Sequence, residues 1–140
     1  MTRIVLALLL CLAAAPALAQ AGRWITESGN LEVEIAPCAA GQPASLCGTV
    51  TKVLANRSMR APGAEMVAAD ARPALGMQIL TGFVSSDDGD WDGEIYNREN
   101  GKTYSCTMKL AAPDALELRA YVLLPLFGKT QTWRRAAAAE

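Results

Sequence analysis

The side chains able to do chemistry in this chain are few, because none of its 140 residues is a histidine. That absence removes His-dependent triads, imidazole metal sites and the commonest general base. Carboxylates, thiols and phenols remain. Asp87, Asp88, Asp90 and Asp92 cluster around Gly89, a set of hard oxygen ligands suited in principle to calcium. Their spacing does not follow the EF-hand loop and no bidentate glutamate closes it. The segment therefore reads as an acidic turn that keeps a hairpin soluble. No motif sets two carboxylates as an acid–base pair for hydrolysis. The chain is read as a non-enzyme with no metal and no cofactor.

Of the four cysteines, Cys11 lies in the apolar leader described below and follows Leu10 rather than a small residue, so it reads as a passenger and not as a lipid anchor. Cys38 and Cys47 flank Gly41, Pro43 and Ser45, which looks like a turn between two extended segments. A disulfide there closes a short loop and contributes about 2–3 kcal/mol; the alternative is a reduced pair. Cys106 is left over. It alternates with Tyr104 and Met108, which points it into a core as a small hydrophobe rather than out as a reactive thiol.

The aromatic residues offer binding rather than catalysis. Tyr96, Tyr104, Tyr121 and Trp133 are the candidate ligand contacts: if they line an interior, their rings meet an apolar ligand and a tyrosine hydroxyl orients its polar head. The competing reading is that they, with Trp91, simply fill a core. Leu123-Leu124-Pro125-Leu126-Phe127 is an apolar connection. It either caps a barrel mouth or docks on a protein partner or membrane surface through Leu123, Leu126 and Phe127.

The elements that must position these residues begin after an export leader. Arg3 supplies a positive start, Ile4 to Ala15 an unbroken apolar run, and Ala17-Leu18-Ala19 a signal-peptidase site, so cleavage is expected after Ala19. The run is too short to cross a bilayer, which takes about 20 residues, and no other stretch of the chain could span one. Loss of Arg3 takes the net charge from −1 to −2, a balance that argues against nucleic acid. The expected product is one periplasmic or secreted domain, residues 20–135, with a fraying tail at 136–140.

Alternation of period two dominates that domain. Leu31, Val33 and Ile35 alternate with glutamates; Tyr104, Cys106, Met108 and Leu110 with Thr103, Ser105, Thr107 and Lys109; Leu116, Leu118, Ala120 and Val122 with Glu117, Arg119 and Tyr121. Shorter candidates are Arg23 to Thr26, Gly48 to Leu54, Met77 to Phe83, Trp91 to Tyr96 and Thr130 to Arg134. Turn chemistry separates them: Ser28-Gly29-Asn30, Asp87 to Asp90, Asn97 to Gly101 and Pro113-Asp114. Eight half-buried strands with short links predict an all-β, antiparallel up-and-down barrel, closed to remove its edges. Ala55 to Pro73 breaks the pattern as one long irregular loop with a brief helical tendency at Glu65 to Ala71. It reads as a surface excursion, with a functional loop as the alternative.

An ordered set of residues then resembles a known family. Gly22-Arg23-Trp24 opens the domain, Leu46-Cys47-Gly48 follows the first cysteine, and Arg72-Pro73-Ala74-Leu75-Gly76 leads into Leu80-Thr81-Gly82-Phe83. Trp91-Asp92-Gly93-Glu94-Ile95-Tyr96-Asn97, Gly101-Lys102-Thr103-Tyr104, Arg119-Ala120-Tyr121 and Phe127-Gly128-Lys129-Thr130-Gln131-Thr132-Trp133 complete it. The chain resembles the bacterial exported family known as domain of unknown function 2147. Departures fall at Glu94, at Asn97-Arg98 and in the Ala55–Ala71 loop. The resemblance implies a lipocalin-like, calycin-type barrel and no established function. The Gly-x-Trp opening is similar to the lipocalin signature, which implies a structural Trp24 plugging one end beneath an arginine, Arg119 or Arg134. The functional expectation is a barrel that binds a small hydrophobic or amphipathic ligand. The alternative is an envelope structural, stress or inhibitor-like interaction module without a cavity.

Overall fold

The structure, a computed structural model, describes residues 19–39, 42–124 and 128–137, without the side chains of Gln42 and Pro43. Residues 1–18 (most of the expected export leader), Leu126, Phe127 and the last three residues lie outside the described residues. Eight strands follow in chain order: β1 (Gly22–Ile25), β2 (Leu31–Ala39), β3 (Gln42–Val53), β4 (Gln78–Ser85), β5 (Trp91–Asn97), β6 (Lys102–Ala112), β7 (Ala115–Tyr121) and β8 (Lys129–Arg135). Each pairs antiparallel with the next, and β8 returns to β1, giving a closed up-and-down barrel. The all-β, antiparallel up-and-down barrel expected from the alternation is thus formed.

Inward positions are those the period-two pattern marks. Val33, Ile35, Leu46, Val50, Met108, Leu116, Leu118, Trp24 and Trp133 are almost completely buried. Such side chains contribute about 1.5–3 kcal/mol each when fully withdrawn from water. Two glycines shape the packing. A Cβ on Gly93 would lie 2.6 Å from the Phe83 ring, and one on Gly48 would lie 2.8 Å from the Leu80 side chain. The missing side chains are the space into which Phe83 and Leu80 pack.

The expected disulfide is formed: Cys38, near the end of β2, and Cys47, in β3, join across the hairpin with Cα atoms 4.8 Å apart, and pairing continues past them to Ala39 and Gln42. One local expectation is corrected. The Ala55–Pro73 segment forms no helix at Glu65–Ala71 and is more than a surface excursion. The Asn30 side-chain amide donates to the Arg57 carbonyl at 2.8 Å and accepts from the Arg57 N–H at 2.9 Å. Leu54 and Ala55 N–H groups both donate to the Asn30 carbonyl. A buried asparagine thereby supplies the segment with the partners a helix would otherwise have provided.

Candidate ligand-binding site

In an up-and-down barrel alternate connections share an end, and the two ends of this barrel differ. One end carries the start of β1, the end of β8, the disulfide arm, the Asp87–Asp90 turn and the β6–β7 turn. Trp24 closes it. Its indole N–H donates to the Gln20 carbonyl at 2.9 Å, and a guanidinium stacks 4.1 Å from its ring centroid. That guanidinium is Arg135, not the expected Arg119 or Arg134. The register across the closure pairs Trp24 with Arg135 and Ile25 with Arg134, so alternation turns Arg134 away. Arg119 lies mid-barrel on the outer face of β7, where Nη1 donates to the Thr130 hydroxyl on β8 at 2.8 Å. Arg135 also donates to the carbonyls of Pro113, Ala21 and Ala19 at 2.8, 3.1 and 3.0 Å.

Asp88 at this end serves its own turn, accepting from the Ser86 hydroxyl at 2.6 Å and the Asp90 N–H at 3.1 Å. The Ser86 bond comes first among the causes holding its carboxyl below the ordinary carboxylate pKa. Among the described residues no three His, Cys, Asp or Glu side chains gather as a metal site.

The opposite end is hollow. A cavity of about 610 Å³ opens between the β1–β2, β3–β4, β5–β6 and β7–β8 connections. Its apolar wall is Leu31, Ile79, Ile95, Ala120 and Trp133, with Met59 and Met66 contributed by the long loop. The volume lies within the range that holds one small ligand. A second depression of about 650 Å³ runs along the outside of the long loop between Glu27 and Glu65. No strand forms any of its wall.

All four candidate aromatics border the cavity at the barrel's open end, in two different ways. Tyr104 and Trp133 stand on the inner face: Tyr104 pairs with Ile95, and Trp133 pairs with Leu116 and is 1% exposed. Trp133 Nε1 donates to Gln131 Oε1 at 2.7 Å, and Asn100 Nδ2 donates to the Tyr104 hydroxyl at 2.8 Å. Tyr96 and Tyr121 alternate with inward Ile95 and Ala120, so they meet the cavity only along its rim. The Tyr96 hydroxyl donates to Asp70 at 2.5 Å and Arg72 lies over its ring, which ties β5 to the long loop instead of orienting a ligand. Alternation on their strands also places Gln131 beside Trp133 and Asn97 beside Ile95, polar neighbours that the same period of two marks in the sequence.

The long loop is strapped across this mouth. Beyond its bonds to Asn30, the Ser58 hydroxyl donates to both Glu99 oxygens at 2.6 and 3.0 Å, and the Arg60 N–H donates to Glu99 at 3.3 Å. Ala69 N–H donates to the Arg98 carbonyl at 2.8 Å. The Ser58 bond, foremost, keeps the Glu99 carboxyl below the ordinary carboxylate range. Arg72, through its side-chain hydrogen bond, holds Asp70 well below that range, with Tyr96 second. Beside the mouth, Val122, Leu123 and Leu124 are exposed, and Leu123 has φ 69°.

A closed eight-stranded barrel, plugged at one end by a tryptophan beneath an arginine and hollow at the other, defines a lipocalin-like protein. A solved structure agrees: "Protein HP1028 from the human pathogen Helicobacter pylori belongs to the lipocalin family" is similar over 84% of this chain and 82% of that one, with TM-score 0.57 and 18% identity. The chain belongs to the family described as "Uncharacterized protein conserved in bacteria (DUF2147)", which it matches over residues 22–135. No curated protein matches it. A bacterial family and a disulfide together accord with export into an oxidising compartment.

Proposed function

We propose that the mature protein, residues 20–135 after cleavage behind Ala19, is a non-enzymatic carrier of one small hydrophobic or amphipathic molecule in the periplasm or medium. The observation that carries this reading is the cavity of about 610 Å³, walled by strand-borne apolar side chains and floored by Trp133. Absence of a poised acid supports the non-enzymatic part. The two carboxylates bordering the cavity are Glu27 and Glu99, and Glu99 is occupied by Ser58 and kept ionised rather than raised towards neutrality. The fold likeness is compatible with this reading and does not by itself carry it.

A hydrophobic naphthalene-sulfonate probe tests it. The protein should enhance probe fluorescence with a stoichiometry of about one, and Ala120→Trp, which fills the cavity, should abolish the enhancement while the barrel stays folded. Native mass spectrometry of periplasmic protein should show a co-purifying mass lost on denaturation. No probe uptake and a bare protein mass would refute the carrier. The second reading, a protein-interaction module, is favoured by Leu123, which is 91% exposed. In that case Leu123→Ser would remove partner capture without changing probe uptake.

A further inference from the structure

The polar lining of the cavity is biased in two ways. Its charged side chains are Glu27, Arg60, Arg98, Glu99 and Lys129. Glu99 is already engaged by Ser58 and the Arg60 N–H. Among the described residues, neither Arg60, Arg98 nor Lys129 forms an ion pair. Arg98 is the notable one, since it is half-buried in the cavity lining with no ion pair, and its enclosed Nε makes no hydrogen bond. A guanidinium so placed gains from a charge-assisted bond to an anion.

The hydrogen-bond inventory has the same bias. Tyr104 accepts from Asn100, which leaves its O–H free to donate. Gln131 uses its oxygen to accept from Trp133, which leaves its NH₂ as donor. Two neutral groups bordering the cavity, Tyr104 O–H and Gln131 Nε2, therefore present donors with no acceptor among the described residues, beside the Arg98 guanidinium that forms no ion pair. A ligand head that also donates, such as an ammonium, leaves them unsatisfied and meets like charge. A head made only of acceptors and carrying negative charge satisfies all three at once.

We infer that the cavity selects an amphiphile with an anionic, acceptor-only head, a carboxylate or a phosphate monoester, held by Arg98, Tyr104 and Gln131. Its apolar chain lies against Ile79, Ile95 and Trp133. This rests on the carrier reading and names the ligand class for the same site.

The test is displacement of the fluorescent probe at pH 7.5 by four 12-carbon ligands: dodecanoate, dodecyl phosphate, 1-dodecanol and dodecylamine. At least one anion should displace at a concentration about tenfold or more below dodecanol, with dodecylamine weakest. The ratio of the two anions identifies the head. Arg98→Gln should bring the anions to parity with dodecanol and leave dodecanol unchanged; Tyr104→Phe should give a smaller loss of the same kind, with near-UV circular dichroism checking the fold of both. Equal displacement by anion and alcohol in the parent protein, or an anion preference that survives both substitutions, would overturn the head-group inference alone. Failure of all four ligands to displace, in a protein that takes up no probe, would overturn the carrier with it.

Discussion

Replacing Arg135 by glutamine removes the group that closes the barrel's sealed end. Its guanidinium lies 4.1 Å from the ring of a tryptophan with no exposed surface, and a desolvated stack of this kind is worth about 1–2 kcal/mol. The part-buried bond to the Ala21 carbonyl adds about 1 kcal/mol, and the exposed bond to Pro113 a few tenths, because water replaces it. The bond to Ala19 is left out, since a chain beginning at Gln20 lacks that carbonyl. The expected loss is about 2–3 kcal/mol, or a fall in Tm of about 8–12 °C for a domain this size. Urea unfolding followed by tryptophan fluorescence measures it, with an unchanged m-value. Arg135→Lys should recover less than half, because an ammonium neither stacks flat nor forks between carbonyls. Arg134→Gln, at an exposed outer position, should cost under about 0.5 kcal/mol. A loss from Arg135→Gln no greater than that from Arg134→Gln would refute the assignment, as would full rescue by lysine.

Gly93→Ala pushes a methyl to within 2.6 Å of the Phe83 ring and 2.8 Å of the Thr81 carbonyl; calorimetry should register about 2–3 kcal/mol of destabilisation from overpacking. The Cys106 thiol, buried and pushed up to about 12 by desolvation and then by Asp92, should resist an aromatic disulfide reagent at pH 8 and react at once in urea. Asp70 is depressed when folded, chiefly by Arg72, so the tie it makes from the long loop to Tyr96 is fully present above the ordinary carboxylate pKa of about 3.9 and is lost as pH falls below that value towards the depressed one. Its carboxyl carbon resonance should stay in the ionised position at pH 4. Tyr96→Phe, which deletes one of its partners, should raise that pKa and speed tryptic cleavage at Arg60 at neutral pH.

The barrel was legible because most strands have one wet face, and a period of two cannot hide. β6 shows it plainly, where Tyr104, Cys106 and Met108 face in and Ser105 faces out. The closure arginine was not legible, since the choice among Arg119, Arg134 and Arg135 depends on a register between β1 and β8, more than 100 residues apart. The cavity was half legible. Alternation already placed Tyr104 and Trp133 inward, and the same rule would have turned Tyr96 and Tyr121 outward. Arg98 was hidden because it lies in a turn, where no periodicity assigns a face. The long loop was hidden for a related reason: its anchors are the amide of Asn30 and the carboxylate of Glu99, polar partners far off in the chain that composition cannot pair.

The odd cysteine has a consequence for how the chain acquires its disulfide. In the mature chain proposed above, three thiols offer three pairings during oxidation, and only one closes a separation of 9 residues; the other two span roughly 60 or more. Loop-closure entropy alone favours the short pairing by about 1.5 kcal/mol, a kinetic bias of roughly tenfold or more before any strand has formed. Barrel closure then completes the selection by removing the spare thiol from solvent and from its thiolate form, so it no longer attacks the finished bond. Refolding of the reduced chain in a glutathione buffer should therefore reach the native pairing without an isomerase, and mixed disulfides at Cys106 should appear only while the barrel is open.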